Sequence, residues 1–83
     1  MCRNITTLRG LEPAATPEEI EAAALQFIRK VSGAPKAPKG SEDRWDEAIQ
    51  EIAAITTALL HDLPPRRNPP TTVPPMRRHA GRA

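Results

Sequence analysis

Apolar positions recur at helical spacing in two stretches of the chain, and the first of these is "TPEEIEAAALQFIRKVSG". Its apolar positions fall on one stripe of a helix: Ile20, Ala23, Ala24, Phe27, Ile28 and Val31. Thr16 is a favourable N-cap, and Pro17 follows at the first helical position, where its missing N–H costs nothing. Glu19, three residues after Thr16, can complete a capping box, and Gly33 is a typical stop. The pattern predicts a helix over about residues 17–32.

The second periodic stretch follows the loop "APKAPKG", whose prolines prevent helix formation. Ser41 is the expected N-cap, and the acidic residues that follow suit the positive end of a helix dipole. One face of this stretch is apolar apart from Thr56, with eight positions: Trp45, Ala48, Ile49, Ile52, Ile55, Leu59, Leu60 and Leu63. The pattern predicts a helix over about residues 41–62 that stops before Pro64.

Two helices joined by a short loop predict an all-α fold, with an antiparallel hairpin in a small helical domain over residues 1–63. Residues 1–15 form a short N-terminal arm that could cover one side of the hairpin. Its apolar side chains are Ile5, Leu8 and Leu11.

The apolar face of the second helix is wider than one 16-residue helix can cover. A second copy of the chain would bury the remainder as a four-helix bundle. The sequence therefore predicts a homodimer, with a contact at or near Trp45, Ile52 and Leu59.

Residues 64–83 differ in composition from the rest of the chain. They hold six prolines in three Pro-Pro pairs, five arginines and no acidic residue, so their net charge is +5, whereas residues 1–63 have a net charge of −3. Such a segment buries too little apolar surface to offset its ordering entropy. We expect a disordered basic tail that adds nothing to the core.

The tail arginines would attract phosphate groups by counterion release. With no aromatic side chain in the tail to stack on a base, nucleic-acid binding would be weak, salt-sensitive and non-specific. The alternative is a solubilising tail without a ligand. The candidate contacts are Arg66, Arg67, Arg77, Arg78 and Arg82.

The single cysteine, Cys2, has no partner for a disulfide within the chain, which fits a reducing cytosol. Removal of Met1 would make Cys2 the N-terminal residue, with Arg3 and Asn4 as neighbours in a candidate thiol site. Positive charge nearby would favour the reactive thiolate. The alternative is that the thiol packs as a small hydrophobe against the hairpin.

Other chemistry finds little support in the chain. There is no nucleophile–base pattern, no metal-ligand spacing and no glycine-rich phosphate loop, so we expect neither an enzyme nor a bound metal or cofactor. The acid pairs Glu18/Glu19 and Asp46/Glu47 are expected to face solvent at the helix starts. No stretch has the length of a membrane span, and no apolar leader precedes Cys2, so we expect a cytoplasmic protein without membrane contact.

Three segments together resemble a known family. They are "MCRNI", "LRGLEPAATPEEIEAAALQFIRKVSG", and the acidic helix that ends in "LLHDLPP". Over residues 1–65 the chain resembles the small bacterial family catalogued as domain of unknown function 2277. The resemblance implies a bacterial, cytoplasmic helical protein and supplies no catalytic residue. The function predicted is that of a small interaction or regulatory protein; the alternatives are a nucleic-acid accessory protein and a thiol-dependent protein.

Overall fold

The structure, a computed structural model, describes the backbone of residues 5–80 and the side chains of residues 5–77. Its helices are α1 (Pro17–Ser32), α2 (Glu42–Asp62) and α3 (Pro75–Ala80). Helices α1 and α2 pack against each other as a hairpin. In this part of the chain the predicted all-α fold is confirmed.

Both ends of α1 form as the sequence predicts. The Thr16 hydroxyl accepts a hydrogen bond from Glu19 N at 3.1 Å, and the Glu19 carboxylate accepts one from Thr16 N at 2.9 Å. This capping box satisfies two backbone donors that a helix start leaves without partners. At the other end Gly33 adopts φ 71°, a left-handed conformation that costs glycine little, and its N–H donates to the Arg29 carbonyl.

Helix α2 begins one residue later than predicted. Ser41 stands at the N-cap, but its hydroxyl donates to the Pro38 carbonyl at 2.6 Å and makes no capping hydrogen bond. The expectation that Ser41 caps α2 with its side chain is therefore wrong, because the preceding loop carbonyl competes for the hydroxyl. The helix ends at Asp62, as predicted.

The N-terminal arm closes the end of the hairpin where α1 begins and α2 ends. Leu11 is buried there, and Arg9 Nε donates to the Pro64 carbonyl at 2.8 Å. Leu8 is half-buried, and Ile5 remains at the edge of the covered region. The arm thus covers one side of the hairpin, as its apolar spacing suggested.

The tail leaves α2 and returns to α1 before it forms α3. Pro74 is buried, and the side chain of Arg77 is 19% exposed. Part of the tail thus lies against α1, which composition alone does not predict, because composition takes no account of the ion pair described below. Disorder of the tail in solution stays a prediction.

The hydrophobic core is small. The buried aliphatic residues of the described chain are Leu11, Ile20, Ala24 and Ala53, and none of the described side chains is fully buried and large. The accessible surface is 6476 Å², about 1,600 Å² more than the roughly 4,900 Å² expected of a globular monomer of this mass. The radius of gyration, 13.7 Å, likewise exceeds the roughly 12 Å expected for this length. A single copy of the chain therefore exposes more surface to solvent than a globular monomer of this mass usually does.

Candidate interaction site

Helix α2 has two apolar faces rather than one. Ala53, which is buried, marks the face toward α1. A second row lies about a third of the way around the helix from Ala53, by the rotation of 100° per residue. We call this row the outer seam: Trp45, Ala48, Ile52, Ile55 and Leu59.

The outer seam is poorly covered within the chain. Ile55 is 72% exposed and Leu59 54% exposed, while Trp45 and Ile52 are half-buried. The seam has alternating spacings of three and four residues, which is the pattern of a helix that packs against another helix. The side chains predicted for a dimer contact, Trp45, Ile52 and Leu59, all lie on it.

An apolar groove of about 340 Å³ runs alongside the outer seam, between α1 and α2. The arm forms one wall of this interhelical groove, and Ile52 belongs to both groove and seam. Phe27 stands on the opposite rim, 48% exposed. Groove and seam together make one apolar surface on the hairpin.

A second feature joins the tail to α1. Arg77 Nε donates to Glu19 Oε2 at 2.5 Å, and Arg77 Nη2 donates to Glu19 Oε1 at 2.9 Å. The same Nη2 also donates to the carbonyls of Pro13 at 2.7 Å and Ala14 at 3.1 Å. We call this arrangement the tail clamp, since one guanidinium ties α3, α1 and the loop before α1 together.

Glu19 is 5% exposed, although its position at the helix start predicts a side chain that faces solvent. That expectation is wrong because the tail covers the side chain; Glu18, Asp46 and Glu47 are exposed as expected. Hydrogen bonds from the Arg77 guanidinium hold the pKa of Glu19 below its ordinary value, against the opposing effect of burial. The charge of this carboxylate is therefore paired rather than neutralised by a proton.

A cavity of about 400 Å³ lies beside the clamp, which we call the tail cleft. The tail contributes Pro74 to Met76 to its walls; the arm and α1 supply the rest through Thr6, Leu8, Glu19, Ala22, Ala23, Gln26 and Arg29. The Thr6 hydroxyl is buried and has no hydrogen-bond partner among the described atoms. A buried hydroxyl without a partner is unusual in a folded protein.

A third cavity, of about 410 Å³, lies at the end of the hairpin between the arm and the last turn of α2. Arg9 and His61 stand in its lining, with mostly apolar neighbours. Close by, Arg66 packs on Gly10, where an added Cβ would approach the arginine side chain to 2.9 Å. These contacts fasten the start of the tail to the arm.

The predicted nucleic-acid contacts do not form one surface in the described chain. Arg77 is engaged by Glu19, while Arg66 Nε donates to the Asn68 carbonyl and Arg67 is exposed. The side chain of Arg78, and Arg82, lie outside the described part. A role for these arginines in nucleic-acid binding stays a prediction.

The candidate thiol site, Cys2 with Arg3 and Asn4, also lies outside the described residues. Within the described chain, no three His, Cys, Asp or Glu side chains come together as metal ligands. None of the helices described combines the length and hydropathy needed to cross a bilayer.

Sequence comparison identifies a family for the whole chain. The family model described as "Uncharacterized conserved protein (DUF2277)" matches residues 1–83. No curated protein and no solved structure matches the chain. The match continues past residue 65, so the tail is part of the family pattern, although the resemblance noted in the sequence ended before it. The chain belongs to the DUF2277 family over its full length.

Proposed function

We propose that this protein is a small helical interaction module that functions as a homodimer through the outer seam of α2. The observation that supports the proposal most directly is the seam itself. It leaves Ile55 and Leu59 more than half exposed on a chain whose buried aliphatic residues are few. Apolar surface of this kind on a small domain marks an interaction site.

The seam favours a second copy of the same chain as the occupant. Its two ends are equidistant from Ile52, since Trp45 and Leu59 each lie seven residues away. In an antiparallel pairing about a two-fold axis at Ile52, the large Trp45 ring lies opposite Leu59 of the second copy. A two-fold interface requires this kind of self-complementarity.

The length of α2 agrees with this assembly. A standard protein interface buries about 800 Å² on each partner. Helix α2, with 21 residues, is about 32 Å long and provides a contact of sufficient length.

The test is the mass of the full-length protein in solution, measured by light scattering at about 100 µM. Wild-type protein is expected to be a dimer and Leu59→Asp a monomer, since a carboxylate in the seam would be buried without a partner. Ala54→Asp is the matched control: it adds the same charge to an exposed position on the opposite side of α2 and should leave the dimer intact.

Trp45, the only tryptophan, supplies a second measurement. Its fluorescence should shift to longer wavelength in Leu59→Asp, because the ring loses its cover, and not in Ala54→Asp. Circular dichroism is the check that each variant is helical. A wild-type monomer, or a dimer that survives Leu59→Asp, would overturn the proposal.

A further inference from the structure

The tail cleft and the clamp beside it hold Pro74–Arg77 of the chain's own tail. We propose that this site recognises segments of the form Pro-Pro-x-Arg, and that the chain's own Pro74–Arg77 occupies it as an exchangeable ligand. A proline- and arginine-containing segment of a partner protein would displace the tail. The site lies on α1 and the arm, so the inference does not depend on the dimer.

The arginine half of the site is specific for a guanidinium. Two carboxylate oxygens of Glu19 and two backbone carbonyls, those of Pro13 and Ala14, surround the donors of Arg77 at 2.5–3.1 Å. The planar, forked guanidinium meets several acceptors at once, whereas the ammonium of lysine is a point charge that does not reproduce this geometry. The Glu19 carboxylate is 5% exposed, so solvent screens its ion pair with Arg77 little.

The proline half of the site is apolar. Pro74 is buried and Pro75 half-buried in the cleft whose α1 wall includes Ala22 and Ala23. Arg77 N donates to the Pro74 carbonyl at 3.0 Å, so the segment makes one turn. That turn places proline in the cleft and arginine at Glu19. Proline limits the freedom of the unbound segment, which lowers the entropy lost on binding.

Two observations indicate that the tail does not complete the site. About 400 Å³ of the cleft remains open beside it, and Met76 is 46% exposed. The Thr6 hydroxyl in the cleft wall is buried without a hydrogen-bond partner among the described atoms. A partner segment that extends into the open part of the cleft would bring a further backbone carbonyl there, and this carbonyl would accept a hydrogen bond from Thr6. A partner segment that fills the cleft would therefore compete with the tail.

The chain holds a second Pro-Pro run followed by arginine, at residues 64–67, but this run is held elsewhere. The Pro64 carbonyl accepts from Arg9, and Arg66 packs on Gly10. The tail segment Pro74–Arg77 is thus the copy that reaches Glu19.

The experiment measures binding of a fluorescent peptide with the sequence of residues 70–80 to the full-length protein. Arg77→Ala chains, whose own tail lacks the guanidinium, are expected to bind the peptide at least about tenfold more tightly than wild type. The reason is that a tethered competitor acts at millimolar effective concentration. A peptide with alanine in place of its Pro-Pro-x-Arg arginine should not bind.

Two variants in the Arg77→Ala background distinguish the clamp from general charge. Glu19→Gln retains the capping box, since glutamine serves there as well as glutamate, but it removes the charge that holds the guanidinium. It should weaken peptide binding at least about tenfold. Glu18→Gln makes the same change of charge at the exposed neighbour and should leave binding unchanged.

A measurement on the wild-type chain covers the case in which Arg77→Ala folds poorly. The Nε–H of a clamped arginine gives a distinct NMR signal that is protected from exchange with water. This signal should be present in wild type, absent in Glu19→Gln, and reduced as unlabelled peptide is added. Equal peptide affinity for wild type and a folded Arg77→Ala chain, or a protected signal that persists in Glu19→Gln, would overturn the proposal. Neither result bears on the dimer, which is tested by mass.

Discussion

Glu19 combines two roles in one side chain. Its carboxylate closes the capping box of α1 through Thr16 N and receives the guanidinium of Arg77 from the tail. The first role is local and follows from a spacing of three residues. The second role pairs Glu19 with Arg77, which is 58 positions away in the chain, and no sequence pattern near Glu19 indicates this pairing. The excess of basic charge in the tail over an acidic body was the sole indication in the sequence.

The paired state of Glu19 predicts a pH dependence. Its folded-state pKa lies below the ordinary value of 4.5, so its pairing with Arg77 stabilises the fold fully above that value. The contribution is lost as the pH falls through the lowered pKa. The other charged group in the cleft lining is Arg29. The difference in melting temperature between wild type and Glu19→Gln should therefore be constant from pH 8 to about 5.5. Below pH 4.5 this difference should diminish.

The control for this titration is Glu18→Gln, which removes an exposed carboxylate beside the same helix start. Its melting temperature should follow wild type at every pH. A difference between wild type and Glu19→Gln that persists at pH 3 would show that the ionised pair is not its source.

The two long helices differ in how their N-termini are satisfied. Thr16 accepts a hydrogen bond from the backbone of α1, whereas the Ser41 hydroxyl donates to a loop carbonyl and leaves the start of α2 without a side-chain cap. Sequence alone treated the two positions as equivalent. The difference arises from the loop before α2, whose backbone brings the Pro38 carbonyl within reach of Ser41.

This contrast predicts unequal effects of the same substitution. Thr16→Ala should lower the free energy of unfolding by about 1 kcal/mol, the usual effect of removing a cap. Ser41→Ala should lower it by less than about 0.5 kcal/mol, because the lost hydrogen bond is exposed and caps nothing. Urea unfolding monitored by circular dichroism measures both. Equal losses would indicate that Ser41 caps α2 in solution.

The apolar residues of helix α2 form one stripe in the sequence but belong to two surfaces in the structure. Its apolar positions span more than the width that α1 covers. Ala53 is buried, while Ile55 and Leu59 are more than half exposed. The sequence shows that the apolar surface of α2 is wider than α1 can cover. Which apolar residues form the inner face and which form the outer seam depends on where α1 packs.

At the scale of the whole molecule, the tail acts as part of the fold rather than as an appendage. Pro74 is buried, Arg77 closes the clamp, and Arg66 packs on Gly10 of the arm. A domain with few buried aliphatic residues gains proportionately more from such contacts, since native stability is a small difference between large terms. The family match over residues 1–83 agrees with a tail that belongs to the domain.

Removal of residues 66–83 should therefore destabilise the protein. Truncation exposes the cleft and removes Arg77, the cation that pairs with Glu19. Loss of a hydrogen bond to a charged group should lower the free energy of unfolding by at least about 1 kcal/mol. In a domain of this size that loss corresponds to a fall in melting temperature of about 4–8 °C. Full-length Arg77→Ala should show most of the same fall, and Arg67→Ala, at an exposed tail position, almost none. A truncated chain that melts at the same temperature as wild type would instead support the expectation of a tail that adds nothing to the core.

Features that depend on neighbours along the chain could be predicted from the amino-acid sequence. Caps, glycine stops and apolar periodicity act within one or two helical turns, so the bounds of α1 and α2 and the hairpin followed from them. The tertiary structure decided what depends on distant partners: the burial of Glu19, the position of the tail on α1, and the separation of the outer seam from the face that contacts α1. The physical reason is that a charge or an apolar side chain has no fixed environment until another segment lies against it. The tail's composition predicts disorder, but one guanidinium that meets a buried carboxylate and two carbonyls supplies the contact that composition does not reveal.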